Sequence, residues 1–461
     1  MSSKSISKSV IWQLGGKFAL QGIAFFTTPI FTRLLTPSDY GYTALYSSWL
    51  SIFSLLSGLQ IGGSIGNARL EYGEKKLPEY LSSIMTVSLS SFIVFFVVSC
   101  LFHNHLEKVM GISSCLVILL SVQSFCAFLI NFEVTRLDQL KSVEKSTVLS
   151  LCQAILVIIL SLIFIITTKG SKAEAKIYGQ SLPTILFGMV IFFLVYKRGK
   201  IIWNSKYIKF CLSLTLPLVV HGIGHLIFSQ SDRIMLQKMH GEDLLGIYSV
   251  TFNLCAVLSI IHSATNVAWV PFYMDFKKHG KEDEILLHSK RYLKFFTLIS
   301  VGFVLLSYDV YKIMAPIEYY EGMKIIPLFV LSNFFSFIYL FPVNFEFYKR
   351  KTKLIPLATL FASLINIVIN FMLIPKYGLV GAAIGTAISH VILFLFHELV
   401  ARLIIKDFEF PWHIYILSII IIFFTCVLAV ALKNMLVIRW VTFIIVTFYL
   451  LKDLFEKKSV F

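Results

Sequence analysis

The sequence predicts an all-helical protein that crosses a membrane about fourteen times. Of its 461 residues, 57% are hydrophobic and only 14% are charged, and the mean hydropathy is +0.81. Apolar segments of about 18 residues or more recur along the whole chain, and each is long enough to cross a hydrocarbon core of about 30 Å as a helix. Soluble globular proteins do not have this composition.

Each predicted span is an apolar segment bounded by a short polar stretch. Proline marks several ends or kinks, as at Pro217 and Pro342, and neighbouring helices accommodate such kinks inside a membrane. The predicted spans are 10–31, 40–66, 81–102, 112–132, 148–168, 179–196, 210–230, 244–271, 292–314, 324–348, 354–374, 377–401, 412–432 and 436–451.

The basic residues are distributed unevenly between the two sides of the membrane. When basic residues near the span ends are counted with the adjacent loop, the N-terminus, the even-numbered loops and the C-terminus carry 28 of the 41 Lys and Arg residues, and the odd-numbered loops carry 12. Because basic residues are enriched on the cytoplasmic side, both termini are predicted to be cytoplasmic. The net charge of +16 thus follows the topology, and we expect no nucleic-acid partner.

Two similar stretches divide the chain into halves. RLLTPSDYGYTALY begins at Arg33, and RIMLQKMHGEDLLGIYSV begins at Arg233. In each, an apolar helix is expected to end in Arg and two hydrophobic residues, and the next helix to begin at Gly41 or Gly246. The arginines lie 200 positions apart and the glycines 205. Internal symmetry of this kind is typical of secondary transporters.

The offset predicts the domain organisation. Residues 1–205 form a six-helix half that ends in a basic cytoplasmic linker, residues 206–405 form a second six-helix half, and residues 406–461 add two spans and a cytoplasmic tail. The first apolar run lacks a cleavage site and is expected to stay as a span. All loops are expected to be short, the longest being about twenty residues around 272–291.

Several chemistries are not expected. The seven cysteines form no CxxC pair, so neither a zinc site nor a redox pair is predicted. There is no P-loop, which argues against ATP hydrolysis. The run GLVGAAIGTAIS places Gly381, Gly385 and Ser389 at four-residue spacing, which is typical of a helix-packing face in a membrane. We therefore predict no enzyme, no catalytic residues, no metal and no cofactor.

Lys17 is the first candidate for substrate binding. It lies about seven residues into the first span, and ionisable side chains inside spans are costly and commonly functional. One interpretation is a cation that lines an internal, water-filled cavity. The other is a side chain that reaches the interface, or a helix that begins later than drawn.

His221 and His225 are the next candidates. They lie four residues apart in the seventh span and therefore share one helix face, where Gly222 and Gly224 allow a close approach. The 200-residue offset maps Lys17 to Pro217, one turn from His221. The pair could present positive charge to a cavity and titrate near neutral pH, or be neutral and hydrogen-bonded between helices.

Arg33 and Arg233 complete the predicted substrate-binding set. Each is expected to close a span on the external side, either as a cation at a cavity mouth or as an interfacial residue paired with Asp39 or Asp232. Near the predicted cytoplasmic ends of later spans, Glu346 and Glu398 are expected to pair with Lys349 or Arg402.

Three motifs carry a family resemblance: RLLTPSDYG at 33–41, SDRIML at 231–236 and NIVINFMLIPKYGLVGAAIGTAIS at 366–389. Together they resemble the polysaccharide flippases of the multidrug/oligosaccharidyl-lipid/polysaccharide exporter superfamily, in the O-antigen and capsule branch. The resemblance covers essentially the whole chain. Twelve spans are common in that branch, and fourteen are closer to the lipid II flippase pattern.

The resemblance implies two pseudo-symmetric six-helix lobes around a central cavity, with two additional C-terminal helices. It implies a flippase in the inner membrane that moves a polyprenyl-pyrophosphate-linked oligosaccharide from the cytoplasmic to the external leaflet by alternating access. A proton or sodium gradient would drive the transport, and glycan polymerase machinery is a further partner. Lys17 and the His221 face would supply the cations that a pyrophosphate needs in a low-dielectric cavity.

Three other functions stay open. A drug or small-cation exporter of the same superfamily would favour buried carboxylates, and the first half has none deep in a span, because Glu133 lies at a span end. A glycan polymerase or ligase is disfavoured by the short external loops. A structural scaffold with a degenerate cavity is the third.

Overall fold

The protein is helical throughout residues 3–455, the range that this computed structural model describes; side chains are described for Trp12 and residues 15–448. No strand occurs in that range. The α-helices are α1 Ser3–Leu34, α2 Pro37–Gly58, α3 Ile65–Leu101, α4 His103–Met110, α5 Ser114–Gln139, α6 Val143–Thr167, α7 Lys172–Gly199, α8 Ser205–His240, α9 Glu242–Lys278, α10 Glu282–Met314, α11 Ile326–Ile338, α12 Leu340–Tyr348, α13 Leu354–Leu399, α14 His413–Ala431 and α15 Leu436–Phe455.

The predicted all-α membrane fold is confirmed. Ten segments of the described chain are long and apolar enough to cross a membrane. The fourteen predicted spans fall on helical segments, although span 40–66 includes a break after the end of α2 at Gly58. The tenth span combines a 3₁₀ turn at Ile317–Ile325 with α11 and α12, which follow one another almost without a break. The eleventh and twelfth spans are the two arms of α13.

The arms of α13 meet at Gly378, which has φ 52° and ψ −123°, a backbone conformation that favours glycine. The second arm folds back on the first, and the two pack closely. A Cβ on Gly381 would lie 2.5 Å from the Leu373 carbonyl oxygen, and one on Gly385 would lie 2.1 Å from Asn370 Oδ1. The small-residue face predicted from the sequence therefore does pack helix against helix.

The described chain forms two compact units, Met1–Gly246 and Ile247–Phe461. In the first unit, α5 lies at the centre and contacts α2, α3, α6 and α7. Its core has two clusters, one around Tyr80 and Leu129 and the other around Tyr46 and Leu120, all buried. The short helix α4, which the sequence did not indicate, packs on α5, and the Trp49 indole donates to the Met110 carbonyl oxygen at 3.1 Å.

In the second unit, the last two helices pack against α10. The buried Arg439 of α15 donates to the Leu305 carbonyl oxygen and to the Asp309 carboxylate, both at 2.8 Å. A buried guanidinium needs such partners. The final helix is thus an integral part of this unit.

Two expectations about helix ends were wrong. α9 continues to Lys278 and α10 begins at Glu282, so the connection expected to span about twenty residues is three residues long. In the second repeat, α8 continues past Arg233 to His240, so this arginine lies inside the helix, whereas Arg33 lies in the last turn of α1. The polar side chains after Arg233 extend the helix and do not end it.

Candidate substrate site

The turn between α1 and α2 is held by hydrogen bonds on both sides. The Thr36 hydroxyl accepts from the Asp39 N–H, and the Asp39 carboxylate accepts from the Thr36 N–H, both at 3.2 Å, which is a capping box. Pro37 begins α2, where its missing N–H is not needed. The Lys172 ammonium donates to the Leu34 carbonyl oxygen at 3.2 Å and so satisfies a free acceptor at the end of α1.

The glycines of the two repeats lie against one another. A Cβ on Gly41 would lie 1.9 Å from the Glu242 carbonyl oxygen and 2.9 Å from the Gly246 nitrogen. A Cβ on Gly246 would lie 1.9 Å from the Pro37 carbonyl oxygen. The Ser38 hydroxyl donates to the Glu242 carboxylate nearby at 3.3 Å. Only glycine permits backbones to approach this closely.

Lys176 is a cation that the sequence analysis did not single out. Its Nζ lies 4.6 Å from the ring centroids of both Phe31 and Tyr40, within the range of cation–π attraction. It also donates to the Thr43 hydroxyl at 3.3 Å. Lys176 therefore joins α7 to both sides of the α1–α2 turn. No sequence pattern indicated these partners, since they lie more than 130 positions away.

Lys17 lies near the middle of α1, with an exposed side chain. The helix begins at Ser3, earlier than expected. Next to it, Gly16 is buried against α6, where a Cβ would lie 2.6 Å from the Thr147 methyl group. Among the described residues, Lys17 makes neither a hydrogen bond nor an ion pair.

The two histidines lie on α8, as predicted. His221 is half-buried and His225 is exposed, and neither forms a hydrogen bond or ion pair within the described part of the chain; the buried Nδ1 atom of His221 has no partner there. Gly222 beside them packs on α2, where a Cβ would lie 2.6 Å from Leu55. The structure thus gives no hydrogen-bonding role between helices to either imidazole.

Both predicted arginines bond within their own helix. Arg33 is exposed and donates to the Pro29 carbonyl oxygen at 2.8 Å. Arg233 is half-buried and lies 3.4 Å from the Gln230 side-chain oxygen. α1 packs on α6, whereas α8 packs on α2 and α3, and no hydrogen bond links Lys17 to either histidine in the described residues. Lys17 and the two histidines thus lie on helices that have different neighbours.

The buried carboxylates are already paired. Glu133 accepts from Arg136 at 2.7 and 2.6 Å and lies 3.6 Å from Arg198. Glu398 pairs with Arg402, as predicted. The expected pair of Glu346 with Lys349 was wrong: Glu346 Oε1 lies 2.7 Å from His397 Nδ1, and both side chains are fully buried.

No cluster of three or more His, Cys, Asp or Glu side chains suited to a metal ion occurs within the described range, and the seven cysteines are free thiols.

The fold matches that of solved membrane transporters. The lipid II flippase MurJ, in an inward closed conformation, superposes with a TM-score of 0.76 at 15% identity, covering 97% of this chain and 99% of that one. An inward-facing multidrug resistance MATE family transporter of the MOP superfamily superposes with a TM-score of 0.63 at 13% identity, covering 84% and 95%. The fold is therefore like that of MurJ and of this MATE family transporter.

The sequence profile of one family, described as polysaccharide biosynthesis protein, matches residues 6–277. The chain belongs to this family, and the resemblance noted from its motifs is confirmed.

Relatives at lower identity extend over most of the chain. A Haemophilus influenzae protein named for the Lsg locus is 24% identical over 82% of this chain and 95% of its own length. An uncharacterized membrane protein of Methanocaldococcus jannaschii is 22% identical over 84% of this chain and 82% of its own length.

Proposed function

We propose that this protein is a flippase that moves a polyprenyl-pyrophosphate-linked oligosaccharide, an O-antigen or capsule repeat unit, from the cytoplasmic to the external leaflet of the inner membrane. The polysaccharide biosynthesis family and the MurJ-like fold support a transport step in glycan assembly. Alternating access, coupled to a proton or sodium gradient, is the mechanism we propose.

The observation that carries the proposal is that Lys17 is exposed and has no oppositely charged partner among the described residues. It lies near the middle of α1, inside the predicted span 10–31. Keeping an unpaired charge within a membrane span is costly, so such residues face water or a ligand of opposite charge. A pyrophosphate supplies that charge, whereas an organic cation would be repelled.

The histidines extend the same argument. His221 and His225 present imidazoles without hydrogen bonds on one face of α8, where protonation would add positive charge toward an anionic head group. We assign Lys17, His221 and His225, with Arg33 and Arg233, to the substrate path. The lipid tail can stay in the bilayer while the head group crosses.

The paired carboxylates disfavour the drug-exporter alternative. A cationic drug needs a buried carboxylate that is free to pair with it. Glu133 is occupied by two arginines, Glu398 by Arg402 and Glu346 by His397. We likewise propose that the protein is not an enzyme and passes its substrate to glycan polymerase machinery.

The proposal includes the membrane orientation and the functional halves. Both termini are placed in the cytoplasm, with residues 1–205 and 206–405 as the two halves and residues 406–461 as an addition to them. This orientation follows from the Lys and Arg distribution.

Deletion of the gene tests the function. Lipid-linked glycans would be extracted from the deletion strain and assigned to a leaflet by their access to a membrane-impermeant glycosidase added outside spheroplasts. We expect accumulation at the cytoplasmic leaflet, reversed by the parent gene but not by the Lys17→Ala variant. Accumulation of single units at the external leaflet would instead indicate a polymerase, and unchanged lipid intermediates would refute both.

A further inference from the structure

The helix α2 stops inside a predicted membrane span. Leu59 (φ 46°) and Gln60 (φ 53°) both adopt the left-handed conformation, and a 3₁₀ turn at Ile61–Ser64 follows before α3. Neither residue is a glycine, so the conformation is strained. The predicted span is 40–66, and the 22 residues of α2 already extend about 33 Å, so the break lies toward the end of that span.

A cavity of about 580 Å³ lies beside this break. Its walls come from α2, the 3₁₀ turn and α5, together with Leu226 of α8, all within the first unit. Its volume is within the range of small-molecule sites, about 300–1,000 Å³. None of the lining residues carries a charge, although Leu226 follows His225 on α8.

Three polar groups in the wall are free to bind a ligand. The amides of Gln60 and Asn131 are exposed, the Ser54 hydroxyl is partly exposed, and none of them forms a hydrogen bond with another described residue. Leaving such groups unpaired in an apolar medium is unfavourable. An amide both donates and accepts, as a sugar hydroxyl does.

Two phenylalanines of α5 form part of the apolar wall of the cavity. Phe128 and Phe132 line the same cavity, with ring centroids 5.8 Å apart. Their helix also carries Asn131, so aromatic and amide groups lie on adjacent positions of one wall. Both rings are buried in the core of this unit, so the amides are the groups of this wall that a ligand can reach. A ligand with hydroxyl groups fits these amides, whereas a lipid chain would leave them without partners.

We propose that this cavity binds uncharged sugar residues of the transported glycolipid, with the side chains of Gln60 and Asn131 as their hydrogen-bonding partners. The inference rests on the proposed function, since the sugars are those of the translocated oligosaccharide. The cations of the substrate path hold the pyrophosphate, and this neutral cavity distinguishes lipids by their glycan.

The test compares two lipids on the purified full-length protein in detergent. One probe is the lipid-linked glycan extracted from cells in which this gene is deleted, and the other is synthetic undecaprenyl pyrophosphate, which has no sugar. Gln60→Met and Asn131→Leu remove hydrogen bonding at nearly constant volume. Each is expected to weaken binding of the glycan-bearing lipid about three- to tenfold, the effect of one lost hydrogen bond, and to leave binding of the sugar-free lipid unchanged.

Asn67→Leu is the matched control, because Asn67 is an exposed amide of the same unit that does not line the cavity. It should change neither affinity. Equal losses for both lipids, or no loss for either, would overturn the sugar site while the flippase proposal stands. Tighter binding of undecaprenyl pyrophosphate by Asn131→Leu would show that a lipid chain occupies the cavity, and it would also overturn the inference. If the parent protein binds neither lipid, the flippase proposal itself fails and the sugar site fails with it.

Discussion

Gly41 and Gly246, 205 positions apart in the sequence, lie in direct backbone contact. A side chain on either glycine would collide with main-chain atoms of the other helix, at 1.9 Å from the carbonyl oxygen of Glu242 or of Pro37. The sequence repeat that places a glycine at the start of α2 and again near the start of α9 is thus also a packing relationship. Each copy of the repeat contributes one of the two helices that meet at this contact.

The first prediction concerns this contact. Gly41→Ala or Gly246→Ala forces two backbones apart, and overpacking of this kind costs about 1–3 kcal/mol. We expect a lower thermal unfolding midpoint of the purified protein and reduced transport. Gly22→Ala is the control, because a Cβ there meets nothing within 4 Å and alanine favours a helix. An unchanged unfolding midpoint in both alanine variants would show that the close backbone contact does not require glycine at positions 41 and 246.

Hydrophobicity identified the spans, because each must place about 20 apolar residues across the bilayer whatever its neighbours are. The ends were harder to predict. Arg233 lies inside α8 since the polar residues that follow it remain helical, while the similar stretch after Arg33 contains Pro37 and ends α1. In the first copy of the repeat, Pro37 marks the boundary between two helices. In the second copy no proline follows Arg233, and polar composition alone led to a wrong helix end.

The partner of a buried charge was predicted correctly for Glu398 and Arg402, which lie one helical turn apart, but not where the partner is distant in the sequence. Glu346 was expected to pair with Lys349, three positions away, but it pairs with His397, 51 positions away. Lys176 was assigned to a loop, and its aromatic partners lie on α1 and α2. Local sequence shows which side chains are costly to bury, but the residues that compensate them depend on how the helices pack.

Topology gives the second prediction. Reporter fusions after Lys206 and after Lys458 should both report the cytoplasm, because the basic loops lie on that side. Lys458 lies outside the described residues, and Lys206 begins the first turn of α8. A fusion after Lys169, in the connection between α6 and α7, should report the external side. A cytoplasmic signal there, or an external signal at either of the first two sites, would overturn the orientation.

The third prediction is that Lys17→Ala abolishes or sharply reduces transport while the protein inserts at normal levels. Lys17→Arg should retain part of the activity if charge alone matters, although the two side chains differ in hydrogen-bond geometry. The measurement is glycan export in the deletion strain, with membrane protein quantified by immunoblot. Lys108→Ala, at an exposed site of α4, is the control. Normal export by Lys17→Ala would assign this lysine to the interface.

The fourth prediction separates charge from hydrogen bonding at the histidines. The double variant His221→Ala/His225→Ala should lose transport or lose its dependence on pH. Glutamine at both positions keeps a polar side chain without a charge, so it should fail in the same way if protonation matters. Transport would be measured between about pH 6 and pH 8. Parent-like behaviour of the glutamine pair throughout that range would make the histidines structural.

The fifth prediction concerns the stability of the buried pair of Glu346 and His397. Both side chains are fully buried, with Oε1 and Nδ1 2.7 Å apart, and the second oxygen of Glu346 has no partner among the described residues. His397→Leu would leave the carboxylate buried without compensation, which destabilises a protein by about 3–5 kcal/mol. We expect a large drop in the unfolding midpoint in detergent.

The double variant Glu346→Leu/His397→Leu decides between two explanations of that drop. If an uncompensated charge is the cause, removing Glu346 as well restores stability to near the parent value or above it, since apolar side chains commonly replace a buried ion pair without loss. If leucine simply does not fit the space left by the imidazole, the double variant is as unstable as the single one. Glu321→Ala is the control within the same unit, because its pair with Lys324 is exposed and exposed pairs contribute about 0–1 kcal/mol. A His397→Leu variant no less stable than this control would show that the fold does not depend on the pair of Glu346 and His397.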